Sequence, residues 1–287
     1  MSVVIWSNGR LYGPDEPILT GVDHGLTVGD GVFETCAVYD GTAFALTRHL
    51  RRLRRSALGI GLAEPDLDAV RAGVTAVLAA AGPEAGRVRI TLTGGVGPLG
   101  SNRLPPKEQR QSLLVLAGPA APSRVSRVVR VPWVRNERSP VVGLKTTSYA
   151  ENVVALAEAY RQGADEAVLA NTVGELCEGT ASNVFVERGG ELVTPPLSSG
   201  CLAGITRELL LEWALETGLP VREATVGELR YEVLDEVASG DAFLMMCGSI
   251  RNVSPVVSLD GAPVDAGPVS VRAQELFQQR LADQLDP

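Results

Sequence analysis

Lysine is nearly absent from this chain. Of 26 basic residues in 287, only Lys107 and Lys145 are lysines and the other 24 are arginines. Histidine is as scarce, with His24 and His49 alone. The four cysteines, Cys36, Cys177, Cys201 and Cys247, form no C-x-x-C pair. With so few histidines, neither a zinc site nor a disulfide framework is expected, and no metal is assigned. Positive charge is also short. A net charge of −8 and a pI near 5.0 leave no surplus to neutralise phosphates, which argues against nucleic-acid binding. No apolar run approaches the ~18–20 residues of a membrane-spanning helix. The first ten residues carry no cationic segment ahead of a long apolar one, so no signal peptide is expected and the compartment reads as cytoplasmic. What remains is ordinary for a soluble globular protein, with 45% hydrophobic and 21% charged residues and a length that suits two domains.

The scarcity of lysine gives weight to where the two stand. Lys107 lies in a polar, proline-rich loop, where an ammonium is solvated at no cost. Lys145 follows Val141-Val142-Gly143-Leu144, where an ammonium is costly to hold without partners. Arginine cannot lose its proton and so cannot replace a nucleophilic amine. Schiff-base chemistry with a carbonyl cofactor is the commonest need for such an amine. A lysine snorkelling from a strand end fits the composition equally well.

Taken in order, residues 2–6 read as a strand and Asn8-Gly9 as a hairpin turn. Asp40-Gly41 is a second hairpin signal, between residues 33–39 and 42–46. His24, in a glycine-punctuated segment, reads as a hydrogen-bonding turn former. Leu46, Leu50, Leu53 and Ala57 repeat at the helical period in a helix opened by Thr47. Its other faces carry Arg48, His49, Arg51, Arg52, Arg54 and Arg55, read mostly as a solvated face from which one arginine can bind an anion. A second helix spans 66–81, and residues 87–93 alternate as a half-buried strand. The following Gly94–Gly100 run contains a literal G-x-G-x-x-G, but Pro98, Pro105 and Pro106 forbid the helix that a dinucleotide site needs. A flexible loop over a pocket, or a plain surface loop, replaces that reading.

Residues 118–124, stiffened by prolines, form the expected linker between a domain of residues 1–117 and one of residues 125–287. Beyond it, a strand at 125–133 leads to Lys145, and Ser148 with Glu151 forms a capping box ahead of a helix at 153–160. Strands are expected at 166–170, 184–187 and 242–247, and helices at 208–215 and 269–281. The Gly200–Arg207 stretch leaves unpaired N–H groups at the start of the 208–215 helix, a ready anion site.

Three passages resemble the fold-type IV pyridoxal-phosphate enzymes. These include D-amino acid and branched-chain aminotransferases, (R)-selective amine transaminases and aminodeoxychorismate lyases. The passages are Lys145-Thr-Thr-Ser-Tyr-Ala-Glu-Asn152, Glu178-Gly-Thr-Ala-Ser-Asn-Val-Phe185 and Gly204-Ile-Thr-Arg207. Gly29-Asp-Gly-Val-Phe-Glu34 and His49-Leu-Arg-Arg-Leu53 fit as well, so the likeness covers nearly the whole chain. It implies an α/β protein with a small N-terminal α+β domain and a larger C-terminal α/β domain that carries the lysine, with the active site at their interface. It also implies a homodimer in which residues 94–103 of one subunit reach the other's active site.

By the same resemblance the cofactor is pyridoxal 5′-phosphate. Lys145 would hold it as a Schiff base and shuttle the substrate proton. Glu178 would face the pyridine nitrogen, where an anion keeps the ring protonated. Arg52, the backbone N–H groups of Ile205 and Thr206, and the Ser249 hydroxyl would hold the phosphate. On the substrate side stand Phe33, Ile250, Arg251 and Arg138. The arginine and histidine with which D-amino acid aminotransferases clamp a carboxylate are replaced by Leu99 and Ser101, and their tyrosine partner by Phe33. Ala150 stands where branched-chain enzymes carry a tyrosine, and Arg251 is the expected substitute clamp. The leading expectation is a transaminase moving an amino group between a D-amino acid or (R)-amine and a 2-oxo acid. An aminodeoxychorismate lyase and a branched-chain L-amino acid aminotransferase are the alternatives. A cofactor-free binding protein would not explain why Lys145, Glu178 and Arg52 occur together.

Overall fold

The computed structural model describes residues 3–121 and 123–287. Met1, Ser2 and Pro122 lie outside the described residues, and with them the first position of the expected opening strand and one proline of the expected linker. By its contacts the chain divides into two units. One holds Met1–Ala121, Leu144–Tyr149 and Leu285–Pro287, and the other Pro122–Gly143 and Ala150–Gln284. The expected division placed Lys145 in the large C-terminal domain. Its segment instead packs with the N-terminal unit, because Phe33 N donates to the Lys145 carbonyl at 3.0 Å and Thr147 N to the Gly31 carbonyl at 2.8 Å.

The first unit runs through β1 (Val4–Ser7), β2 (Arg10–Tyr12), α1 (His24–Thr27), β3 (Gly31–Tyr39), β4 (Thr42–Ala43), α2 (Leu46–Gly59), α3 (Leu67–Ala81), β5 (Arg87–Thr93) and β6 (Ser112–Gly118). Its strands form one antiparallel sheet in the order β2-β1-β6-β5-β3-β4. Alternate residues of a strand face opposite ways. Val32, Cys36 and Val38 of β3 and Val88, Ile90 and Leu92 of β5 therefore share a core with Leu50, Leu53 and Ala57 of α2 and Val70, Val74 and Val77 of α3. Each fully buried Leu or Ile contributes about 1.5–3 kcal/mol. Phe33 and Arg89 are out of phase with that core, and the register pairs Phe33 with Thr91 and Thr35 with Arg89. Both expected hairpin turns are present, with positive φ at Asn8 and Gly9 and at Asp40 and Gly41, as a two-residue type I′ turn requires.

The second unit contains β7 (Ser126–Arg135), α4 (Ala150–Arg161), β8 (Glu166–Asn171), β9 (Leu176–Gly179), β10 (Asn183–Arg188), β11 (Glu191–Thr194), α5 (Ile205–Thr217), β12 (Val221–Glu223), α6 (Val233–Ser239), β13 (Phe243–Gly248), β14 (Asn252–Leu259), β15 (Ala262–Pro263) and α7 (Pro268–Asp283). Its mixed sheet has the order β12-β11-β10-β13-β14-β7-β8-β9, with β15 on β14. Val129, Val131, Ala167 and Leu169 pack with α4, whereas the alternating Val128 and Val168 pack with α6, so helices cover both faces. Short β9, β12 and α6 were not foreseen: each is too brief to display a period. Among the described residues no helix is long and apolar enough to cross a membrane, and no group of three or more His, Cys, Asp or Glu is arranged to hold a metal.

Candidate active site

Lys145 is pinned by its backbone. Its N–H donates to Ser56 Oγ on α2 at 3.1 Å, while its carbonyl accepts from β3. The neighbouring Leu144 lies so close to α2 that a Cβ on Gly59 would stand 2.8 Å from its methyls, so a larger residue there would displace the Leu144 side chain. The Lys145 Nζ lies 4.5 Å from the centre of the Phe33 ring and 5.7 Å from that of Tyr149. These rings meet edge to face, 5.2 Å apart at 89°. The Arg89 guanidinium stacks on the same Phe33 ring, with Cζ 3.9 Å from its centre. Among the described residues Arg89 makes no hydrogen bond or ion pair. Desolvation lowers its basicity, and the Tyr149 phenol opposes that shift.

Behind β3 lies a buried ionic cluster. Glu34 accepts from Arg52 Nε and Nη2, each at 2.7 Å, and lies 2.7 Å from His49 Nδ1. Its carboxylate is fully buried, and His49 and Arg52 are nearly so. Burial alone pushes the Glu34 carboxyl up, but Arg52 and then His49 hold it well below the usual carboxylate range. Burial pulls Arg52 down and the Glu34 charge raises it by more. His49 is lowered, because burial outweighs its bond to Glu34. The fork of two parallel bonds fixes the plane of the Arg52 guanidinium. Of the expected solvated face of α2, Arg52 and His49 are thus interior.

In the second unit Glu178, on β9, accepts from Leu202 N at 2.9 Å. Arg135 Nε stands 3.3 Å from its other oxygen, an ion-pair distance without hydrogen-bond alignment. Helix α5 begins after Gly204, which offers no side-chain cap, so Ile205 and Thr206 are its first two residues. A Cβ on Gly204 would fall 1.9 Å from Asn183 Oδ1, so only glycine lets the backbone approach there. Ser249 and Ile250 occupy the turn between β13 and β14.

The expected clamp, Arg251, is differently engaged. Its Nη1 donates to Ser126 Oγ at 2.6 Å and Asp165 Oδ1 at 2.9 Å, and Nη2 lies 3.6 Å from Glu166 Oε2. These bonds tie the guanidinium to β7 and to the Asp165-Glu166 segment. Arg138 is exposed, 3.7 Å from Glu137. The Gly94–Gly100 run, expected as a flexible loop over a pocket or a plain surface loop, is tied down: Gly94 N donates to the Asp30 carbonyl at 2.9 Å and His24 Nε2 meets the Pro98 carbonyl at 2.7 Å, and beyond the run Arg103 grips Asp30 with two nitrogens. His24 is the turn former its sequence suggested.

A pyridoxal cofactor asks for a pinned amine, an acid for its ring nitrogen, and cations or free amides for its phosphate. Lys145, Glu178, the oriented Arg52 and the glycine-started α5 supply these chemistries, so the residues present fit the group. Three residues near the lysine were missed. Glu34 had a signal, being an acid inside the apolar run Val32-Phe33-Glu34-Thr35-Cys36. Arg89 and Tyr149 had none, since strand alternation gives Arg89 only an outward face and Tyr149 lies in the irregular connection ahead of α4.

Known proteins agree with this chemistry. Residues 31–259 match the family described as Amino-transferase class IV. A Methanocaldococcus jannaschii protein, provisionally named a branched-chain-amino-acid aminotransferase, is 30% identical over 285 residues, covering 96% of this chain and 95% of that one. The D-alanine aminotransferase of Listeria innocua is 26% identical over 287 residues, covering 96% and 94%. The PLP-bound structure of a hypothetical aminotransferase from Mycobacterium tuberculosis superposes with a TM-score of 0.82 at 27% identity, covering 98% of this chain and all of that one. The chain belongs to the class IV aminotransferases, enzymes that work with pyridoxal 5′-phosphate.

Proposed function

We propose that this enzyme moves the amino group of an amino acid to a 2-oxo acid. Lys145 holds the cofactor and carries the proton, Glu178 faces the pyridine nitrogen, and Arg52, Ile205, Thr206 and Ser249 bind the phosphate. When bound, the cofactor supplies an electron sink at the substrate carbon. The observation that supports the substrate class is Arg89, a guanidinium without an anionic partner, stacked on the ring that also faces Lys145. Such a group takes a carboxylate by two parallel charge-assisted bonds. Phe33 then aligns that guanidinium, and Arg89 replaces Arg251 as the clamp.

A simple (R)-amine has no carboxylate for Arg89, so a D-amino acid donor stands ahead of an amine within the leading expectation. The name of the Methanocaldococcus jannaschii relative favours a second reading, a branched-chain L-amino acid donor. The visible band of the loaded enzyme separates these. D-Alanine is expected to abolish it and 2-oxoglutarate to restore it. Bleaching by L-leucine alone would establish the second reading, and pyruvate release from aminodeoxychorismate without an acceptor would establish a lyase. Arg89→Ala is expected to raise the donor KM by about tenfold or more, the value of one charged hydrogen bond. An unchanged KM would remove Arg89 from the site. A homodimer, with residues 94–103 serving the other subunit, and a cytoplasmic location complete this reading. Sedimentation at micromolar concentration checks the dimer.

A further inference from the structure

We propose that Tyr149 is a positioning residue that, with Phe33, cradles the Lys145 amine and favours its protonated form. The inference rests on the reading of Lys145 as the proton carrier. The two rings stand perpendicular and both present themselves to the same Nζ. The backbone beneath Tyr149 is fixed: its N–H donates to the Thr147 carbonyl at 2.8 Å, and Thr147 Oγ1 donates to the Gly29 carbonyl at 2.9 Å. Charged and titratable groups near the cradle in this unit include His49 on α2, which feels the Lys145 charge, Arg89 on β5, stacked on Phe33, and Arg52 on α2, which feels the Tyr149 phenol and is forked by Glu34 of β3. Arg52 and Arg89 repel an ammonium.

A ring face attracts an ammonium through its quadrupole and has no such attraction for a neutral amine. The cradle therefore strengthens as Lys145 takes up a proton, which is what a proton acceptor requires. A carboxylate in the same place would favour the ammonium too, but it would also pair with Arg89, which this reading needs for the substrate carboxylate. Uncharged rings avoid that conflict.

The scarcity of lysine makes the test direct. Full-length protein without cofactor, labelled with 13C at lysine Cε, gives two signals, and Lys107→Arg assigns them. The ring currents of the cradle are expected to displace the Lys145 signal upfield of Lys107. Tyr149→Leu should reduce that displacement and lower the Lys145 titration midpoint by about 0.4–0.7 pH units, and Tyr149→Phe should restore both. In the loaded enzyme Tyr149→Leu should lower kcat about two- to fivefold with little change in donor KM, and Tyr149→Phe should retain kcat. A Lys145 signal without upfield displacement in the wild-type chain overturns the cradle, even if the leucine variant fails to fold. So does a phenylalanine variant that fails to rescue. The signals are read without cofactor, so a cradle found in a chain that does not transaminate sinks only the reading of Lys145. Transamination without a cradle sinks only the inference.

Discussion

Glu34 decides the pH behaviour of the residues around Arg52. A carboxylate lowered in the folded state contributes stability above its unfolded pKa of about 4.3 and loses it as pH falls towards the folded value. Glu34 is such a group. A histidine lowered by burial acts with the same sign: its stability is full above about 6.5 and declines as pH drops below it. His49 is that group. Unfolding free energy should therefore fall in two stages, first from about pH 6.5 downward and again below about pH 4.3. His49→Gln is expected to erase the upper stage. Glu34→Gln is expected to cost about 3–5 kcal/mol at pH 7, since it removes the carboxylate charge that faces the buried Arg52 guanidinium. Urea titrations at pH 7.5, 5.5 and 4 read both effects. A Glu34→Gln protein as stable as wild type would show that solvent reaches Arg52.

Helix α2, which carries His49 and Arg52, has an unusual start. Ala45 precedes it in the left-handed region, at φ 52° and ψ 34°, and provides no side-chain cap. The free donors are taken up from the other end of the chain. Asp286 Oδ1 accepts from Thr47 N at 2.9 Å, Oδ2 accepts from Thr47 Oγ1 at 2.6 Å, and Ala45 N donates to the Leu285 carbonyl at 2.7 Å. An acid at this end also meets the positive pole of the helix dipole. Asp286→Ala should destabilise the protein by about 0.5–2 kcal/mol, the range for a lost N-cap, and Asp286→Asn by less. An unchanged melting temperature would mean that water caps the helix equally well. The body of α2 was legible, because Leu46, Leu50, Leu53 and Ala57 declare the period. So were α3 and β5, which announce themselves by a cap at Asp66 and by alternation. The cap of α2 was not, since no local pattern points to a residue 239 positions away. The Ser148 hydroxyl, read as a cap for α4, donates to the Gly29 carbonyl, a partner equally remote in sequence.

Across the whole molecule, rarity decides which site groups the sequence reveals. One lysine beside apolar residues stands out against 24 arginines, whereas Arg89 is hidden among them and Arg251 drew attention only by its place after Ser249. Contacts then separate the two arginines: Arg251 is held by Ser126 and Asp165, whereas among the described residues Arg89 has only the Phe33 ring beneath it. The same rarity supplies a test of the cofactor link. Borohydride reduction of the loaded enzyme makes a lysine–cofactor bond permanent, and only the two lysine peptides and the N-terminal peptide, through its α-amine, can carry the added mass. The Lys145 peptide should carry nearly all of it. Lys107, on an exposed loop, reports adventitious labelling in the same digest. Lys145→Ala should abolish both the label and turnover, and Lys145→Arg should do the same, since a guanidinium keeps the charge but cannot release the proton. Label on Lys107 alone, or turnover surviving either substitution, would show that the chemistry runs through another group.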